Sequence, residues 1–116
     1  MDSIKKSNKK NILIDSAKLY YEKLESFSGL NSNIETLKAK AFSNLSAIYE
    51  QDSDYIKAEN YINKAIKIHK QNKNDLYTVG SLINLGNIFL TQQDYKKSKK
   101  IYLEALDLIK YNNKPY

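Results

Sequence analysis

Laid over itself at a shift of 40 residues, the chain matches itself. Asn44-Leu45-Ser46-Ala47-Ile48-Tyr49 falls on Asn84-Leu85-Gly86-Asn87-Ile88-Phe89, and Asp54-Tyr55-Ile56-Lys57-Ala58 falls on Asp94-Tyr95-Lys96-Lys97-Ser98. The register holds through Ala65-Ile66 on Ala105-Leu106 and Ile68 on Leu108. A fixed period of this size means stacked supersecondary units, each too small to bury its own apolar face, rather than one globular core. That constrains the chain to a repeat architecture.

Apolar spacing identifies the unit as helical. Ala17, Tyr20, Tyr21, Leu24 and Phe27 recur three and four residues apart and predict a helix over roughly Ile14 to Ser26, with Gly29 in the usual stop position. A second helix is expected from about Ile34 to Glu50, capped by Asn33, with Leu37, Ala41, Leu45, Ile48 and Tyr49 inward. Asp54 is placed to cap a third, about Tyr55 to Lys70, whose apolar set is Ala58, Tyr61, Ile62, Ala65, Ile66 and Ile68. A fourth, about Leu76 to Leu90, has Asp75 as its candidate cap and carries Leu82, Leu85, Ile88 and Phe89. Asp94 then caps a fifth, about Tyr95 to Lys110, with Ile101, Tyr102, Ala105, Leu106 and Ile109 inside. Links of a few residues force antiparallel neighbours, so the chain is read as all-α, a stack of helical hairpins.

These residues resemble tetratricopeptide repeats. That family's signature places a Leu-Gly pair and an aromatic on the first helix, then a small residue, an aromatic and an alanine on the second. The second repeat supplies Leu85-Gly86, Phe89, Ser98, Tyr102 and Ala105; the first supplies Leu45-Ser46, Tyr49, Ala58, Ile62 and Ala65. Lys70 and Lys110 stand where the signature closes on proline, and the longer period resembles the long-repeat variety of the family. Upstream, Ala17, Tyr20, Lys23, Leu24 and Phe27 align on Ala58, Tyr61, Lys64, Ala65 and Ile68 at a shift of 41, as the second helix of an earlier repeat. The expected organisation is a basic N-terminal segment over 1–13, a half repeat and loop over 14–33, repeats over 34–74 and 75–112, and a tail over 113–116. The resemblance implies a right-handed superhelical stack acting as the scaffolding or sensing section of a larger bacterial regulator. It also implies that apolar ends, with Ile12, Leu13 and Ile14 at one and part of Leu103, Leu106 and Ile109 at the other, are open to homo-oligomeric contact.

Composition narrows the function. There is no cysteine, hence no disulfide framework, thiolate metal site or thiol nucleophile. No apolar run approaches a membrane span and the start lacks a signal-peptide segment, so a soluble cytoplasmic chain that engages no membrane is expected. The net charge of +6 suggests an anionic partner, but all 19 basic residues are lysine. Without arginine's bidentate fork, specific reading of bases is disfavoured, and a non-specific nucleic-acid or anionic-surface binder is the alternative function. It would use Lys5, Lys6, Lys9 and Lys10 or Lys96, Lys97, Lys99 and Lys100.

The binding candidates lie on the first helix of each repeat, clear of the core positions. Lys40, Asn44, Ala47 and Gln51 form one polar stripe; Gly80, Asn84, Asn87 and Thr91 form its counterpart. An asparagine offers both donor and acceptor, so Asn44, Asn84 and Asn87 can pair with a peptide backbone whatever its side chains. The resemblance places this stripe on the concave face, where a protein or peptide is bound. Lys40, Asn44, Gln51, Asn84 and Asn87 are therefore the predicted contact residues. His69, the sole histidine, is expected near a helix C-terminus, where a partly protonated ring suits the dipole. The carboxylates are dispersed with no convergent pair or phosphate loop, so no catalysis, cofactor, metal or small-molecule substrate is expected.

Overall fold

The computed structural model describes residues 2–26 and 32–112. Within them the elements are α1 (Asp2–Glu25), α2 (Ser32–Gln51), α3 (Tyr55–Gln71), α4 (Asp75–Thr91) and α5 (Tyr95–Asn112), with no strand among the described residues. Extensive packing joins only helices adjacent in sequence: α1 with α2, α2 with α3, α3 with α4, α4 with α5. The array is a slab of 58 × 42 × 18 Å. Its radius of gyration is 15.8 Å, against about 13 Å for a compact domain of similar length. The fold is the all-α helical repeat expected.

Three turns of one geometry build it. Ser53, Lys73 and Gln93 all adopt a left-handed backbone, with φ of 61°, 54° and 61°. In each turn the following amide reaches back five residues, from Asp54 to the Tyr49 carbonyl, from Asn74 to His69 and from Asp94 to Phe89, each at 2.9 Å. The same residue then caps the next helix: Asp54 Oδ1 accepts from the Lys57 amide at 3.3 Å, Asn74 Oδ1 from Tyr77 at 3.1 Å and Asp94 Oδ1 from Lys97 at 3.2 Å. The cap of α4 is therefore Asn74 rather than Asp75, which is its first helical residue. Asp54 and Asp94 act as expected. The 40-residue repeat is thus two 20-residue steps closed by the same turn.

Boundaries depart from the apolar spacing at the N-terminal side. α1 begins at Asp2 rather than near Ile14, because the lysine-rich stretch, although without an apolar stripe, contains nothing that breaks a helix. α2 begins at Ser32, so Asn33 lies in its first turn rather than capping it. Phe27, Gly29 and 113–116 fall outside the described residues.

The core is a ribbon through the five helices. Ile14, Ala39, Phe42, Leu45, Tyr49, Ala58, Ile62, Ala65, Leu82, Leu85, Ile88 and Ala105 are buried in one cluster. α1 contributes a narrow stripe, with Ile14 and Leu24 buried and Ala17 and Tyr21 half-buried. Ile14 is thus core rather than an exposed end residue, while Ile12, Leu13 and the expected inward Tyr20 face solvent. Leu106 and Ile109 are also exposed, since no described helix lies against that side of α5. Phe42, absent from the expected core, is central to it: its ring lies 4.5 Å from Tyr21 and 6.0 Å from Tyr61, which stacks on Tyr49 at 5.6 Å.

Candidate functional site: a groove between the first helices of the two repeats

The small residues of the pattern let each hairpin close. Ser46 Oγ donates to the Ala58 carbonyl at 2.7 Å, and Ser98 Oγ donates to the Gly86 carbonyl at 2.9 Å. Positions 46 and 86 correspond, as do 58 and 98, so each hairpin has one buried hydroxyl bond but the donor has changed helix. Both hydroxyls are satisfied, which avoids the cost of burying them unpaired. This close packing fixes α2 and α4 with the predicted polar stripes turned outward. Lys40, Asn44, Ala47 and Gln51 on α2 and Gly80, Asn84, Asn87 and Thr91 on α4 are all exposed.

Between the two helices runs an open groove of about 500 Å³ lined by Lys40, Ser43, His69, Tyr77, Gly80 and Asn84. It brings Lys40 and Asn84 together. Asn44 and Gln51 lie further along α2, beyond its lining. Asn87 is engaged within the fold, its Oδ1 accepting from the Tyr102 hydroxyl. At the matching places of the first repeat stand Ala47 and Ile62, so the pairing with Tyr102 is particular to the second repeat. It takes one of the lone pairs of the Asn87 carboxamide oxygen and leaves the amino group for a partner.

Tyr77 and His69 are groove residues absent from the predicted set. The Tyr77 ring packs on the His69 ring at 5.3 Å, and the Lys40 ammonium lies 5.8 Å from the Tyr77 centroid. His69 is buried, and its Nδ1 has no hydrogen-bond partner among the described residues. Burial lowers its pKa below the usual imidazole value, opposite to the helix-dipole effect expected from its place near the end of α3. The stability that the neutral ring contributes is present above about pH 6.5 and is lost as pH falls further. Spacing along one helix could not show this, because the ring that covers His69 comes from α4.

Gly80 forms part of the floor. A Cβ placed there would meet nothing within 4 Å. An exposed mid-helix glycine costs roughly 0.8–1.0 kcal/mol against alanine, and here that cost relieves no clash. It leaves α4's backbone open on the groove side, where the matching Lys40 carries a long side chain.

The basic clusters are less free than their count suggests. Lys10 pairs with Asp52, while Lys97 pairs with Asp94 at 3.8 Å and lies over the Phe89 ring at 5.5 Å. Lys96, Lys99 and Lys100 are exposed on α5. No group of acidic, histidine or cysteine side chains that could hold a metal occurs among the described residues. Nor is any helix of the described residues long and apolar enough to cross a membrane.

Comparison with curated proteins and with solved structures found no match. The sequence model of the tetratricopeptide repeat family matches residues 37–110, more than half of the chain. Its repeats generally mediate contacts between proteins and are typically non-catalytic. The 40-residue register, the hairpins closed over Ser46 and Gly86, and that match together show that this chain belongs to the tetratricopeptide repeat family.

Proposed function

We propose that the chain is a non-catalytic interaction module that receives a peptide segment of a partner protein along the groove side of α2 and α4, as the sensing or scaffolding section of a larger regulator. Lys40, Asn44, Gln51, Asn84 and Asn87 supply the polar contacts. The observation that carries this reading is Gly80. A glycine retained at a cost in mid-helix, open to solvent and bordered by Lys40, Tyr77 and Asn84, is what close approach by another backbone requires. Asn84 beside it offers donor and acceptor to that backbone, and Lys40 offers a cation to an acidic side chain.

The test is a peptide selected from a random display library on the immobilised protein, then titrated against variants. Asn84→Ala should weaken binding by about 0.5–1.5 kcal/mol for each neutral hydrogen bond lost, while stability changes by no more than about 0.5 kcal/mol. Gly80→Ala should do the reverse of an ordinary damaging substitution, stabilising the fold by roughly 0.5–1 kcal/mol while weakening the peptide. Replacing Lys96 and Lys100 together with alanine should leave the peptide unaffected. If that pair abolishes binding while Asn44→Ala and Asn84→Ala bind normally, the electrostatic alternative replaces this reading. Its own signature is affinity for duplex DNA that collapses with added salt.

A further inference from the structure

The face that α4 and α5 turn away from the array is more apolar than a solvent-facing side calls for. Each position on it has a counterpart 40 residues earlier, where α4 packs over α3. On α3, Ile66 is 7% exposed and His69 4%; the matching Leu106 and Ile109 on α5 are 41% and 40% exposed. On α2, Thr36, Ser43 and Glu50 are half-buried, and burial raises the Glu50 pKa. The matching Leu76, Ile83 and Leu90 on α4 are exposed, Leu76 at 78%. At positions that no described helix covers, polar residues would be expected. Instead threonine, serine, glutamate and histidine at the covered positions become leucine, isoleucine, leucine and isoleucine at the open ones. A contiguous apolar patch of this kind marks an interaction surface.

Geometry and charge define what fits. Leu76, Ile83 and Leu90 are seven residues apart and make a straight seam about 21 Å long, enough for a helix of about four turns. Leu76 and Ile109 border one cavity of about 640 Å³, so the seam on α4 and the apolar side of α5 are continuous. The first repeat shows the covering element directly: a helix, α4, whose Tyr77 ring seats on His69. The only charged residue of α4 is Asp75, and its carboxylate accepts from Asn112 Nδ2 at 3.1 Å. On α5, Lys99 and Lys110 are exposed and have no acidic partner among the described residues. One repeat earlier Lys70, the counterpart of Lys110, reaches Glu104 of the next hairpin at 3.0 Å. The chain's net charge of +6 opposes pairing with a second copy of itself.

We propose that this face docks an acidic amphipathic helix from another protein, its apolar stripe along Leu76, Ile83, Leu90, Leu106 and Ile109 and its carboxylates toward Lys99 and Lys110. The surface shares Leu76 and Ile83 with the border of the peptide groove but does not depend on that reading, since Lys40, Asn44 and Asn84 take no part.

The probe is a synthetic peptide of the α4 sequence, whose inner face already covers a preceding hairpin, with Thr78→Glu added beside its Asp75, because Asp75 and Thr78 of α4 border Lys70, the counterpart of Lys110. A control peptide carries lysine at both places. The acidic peptide should bind the full chain at least about tenfold more tightly than the lysine peptide. Ile83→Ser in the protein, which installs the residue of the first repeat at an exposed site, should weaken it by at least about tenfold with helicity and melting retained. Lys99→Glu with Lys110→Glu should reverse the preference between peptides, and Asn84→Ala should change neither. Equal affinity for the two peptides, no binding up to roughly 1 mM, or an Ile83→Ser variant that binds as the parent does would each overturn the proposal. Sedimentation gives a further arm: a dimer of the 13.4 kDa chain that Ile83→Ser dissociates would make a second copy the occupant instead.

Discussion

Ser46 and Gly86 occupy the same position of the repeat and differ for a reason found on the opposite helix. A Cβ at Gly86 would lie 2.4 Å from Tyr102 Cε1, a separation that real contacts do not show. The ring cannot swing aside without losing its hydroxyl's bond to Asn87. In the first repeat Ile62 holds the place of Tyr102 and Ala47 that of Asn87, so three substitutions form one exchange: serine, alanine and isoleucine for glycine, asparagine and tyrosine. Gly86→Ala should therefore cost about 1–2 kcal/mol, the overpacking outweighing the roughly 1 kcal/mol gained in helix propensity. Combining it with Tyr102→Ile should recover part of that loss. Urea denaturation of the parent, both single variants and the double variant measures the coupling, expected at about 1–2 kcal/mol. Strict additivity would show that the ring does not govern the size of residue 86. The same residue scale shows why the groove was half legible in the sequence. Lys40 and Asn84 stand on the expected stripe because helical spacing alone determines which face they share. Tyr77 and His69 were missed because they meet across two helices, which no single-helix pattern records.

At the level of elements, the caps at Asp54 and Asp94 were readable from residue type and spacing, while the cap at position 74 was not. Asp75 is the stronger-looking acidic candidate, yet the 20-residue step puts the capping geometry on Asn74. The signal existed in the sequence as Asp52-Ser53-Asp54, Asn72-Lys73-Asn74 and Gln92-Gln93-Asp94, three triplets at equal intervals. None has glycine at the left-handed position, and a non-glycine residue there carries roughly 1–2 kcal/mol of steric cost. Lys73→Gly should consequently stabilise the fold by about 0.5–1 kcal/mol, less than the full steric cost because glycine loses more freedom on folding. Lys73→Ala is the control, expected to change stability by no more than about 0.5 kcal/mol. Thermal denaturation checks both, and a Lys73→Gly variant that melts lower would contradict the turn conformation on which all three links rest. The start of α1 escaped prediction for the converse reason: apolar spacing reports only where a helix packs, and this helix continues beyond its partner.

Across the whole molecule, extensive packing joins only sequential helices, with Lys40 over Tyr77 and Lys70 to Glu104 as side-chain links between alternate ones, so stability is nearly a sum of neighbour terms rather than the property of one core. α2, α3 and α4 each pack on two helices; α1 and α5 each pack on one. α1 in addition buries only a narrow stripe and exposes Ile12, Leu13, Leu19 and Tyr20. Amide hydrogen exchange should therefore be slowest in α3 and α4, intermediate in α2 and α5 and fastest in α1, in place of a single protection level throughout. Two substitutions separate linear from global cooperativity. Ala65 and Ala105 are both buried and hold the same place in their repeats, but Ala65 lies on α3 at the centre of the array and Ala105 on α5 at its edge. Leucine at either site forces paired helices apart at a cost of about 1–3 kcal/mol. Ala65→Leu should lower protection in every helix, because both hairpins lean on α3. Ala105→Leu should lower it first in α5 and the facing side of α4, leaving α2 and α3 near the parent level. Were both variants to lose protection uniformly, or to melt as the parent does, the helices would not be coupled in a line, and the face assigned to Ala65 and Ala105 would be wrong.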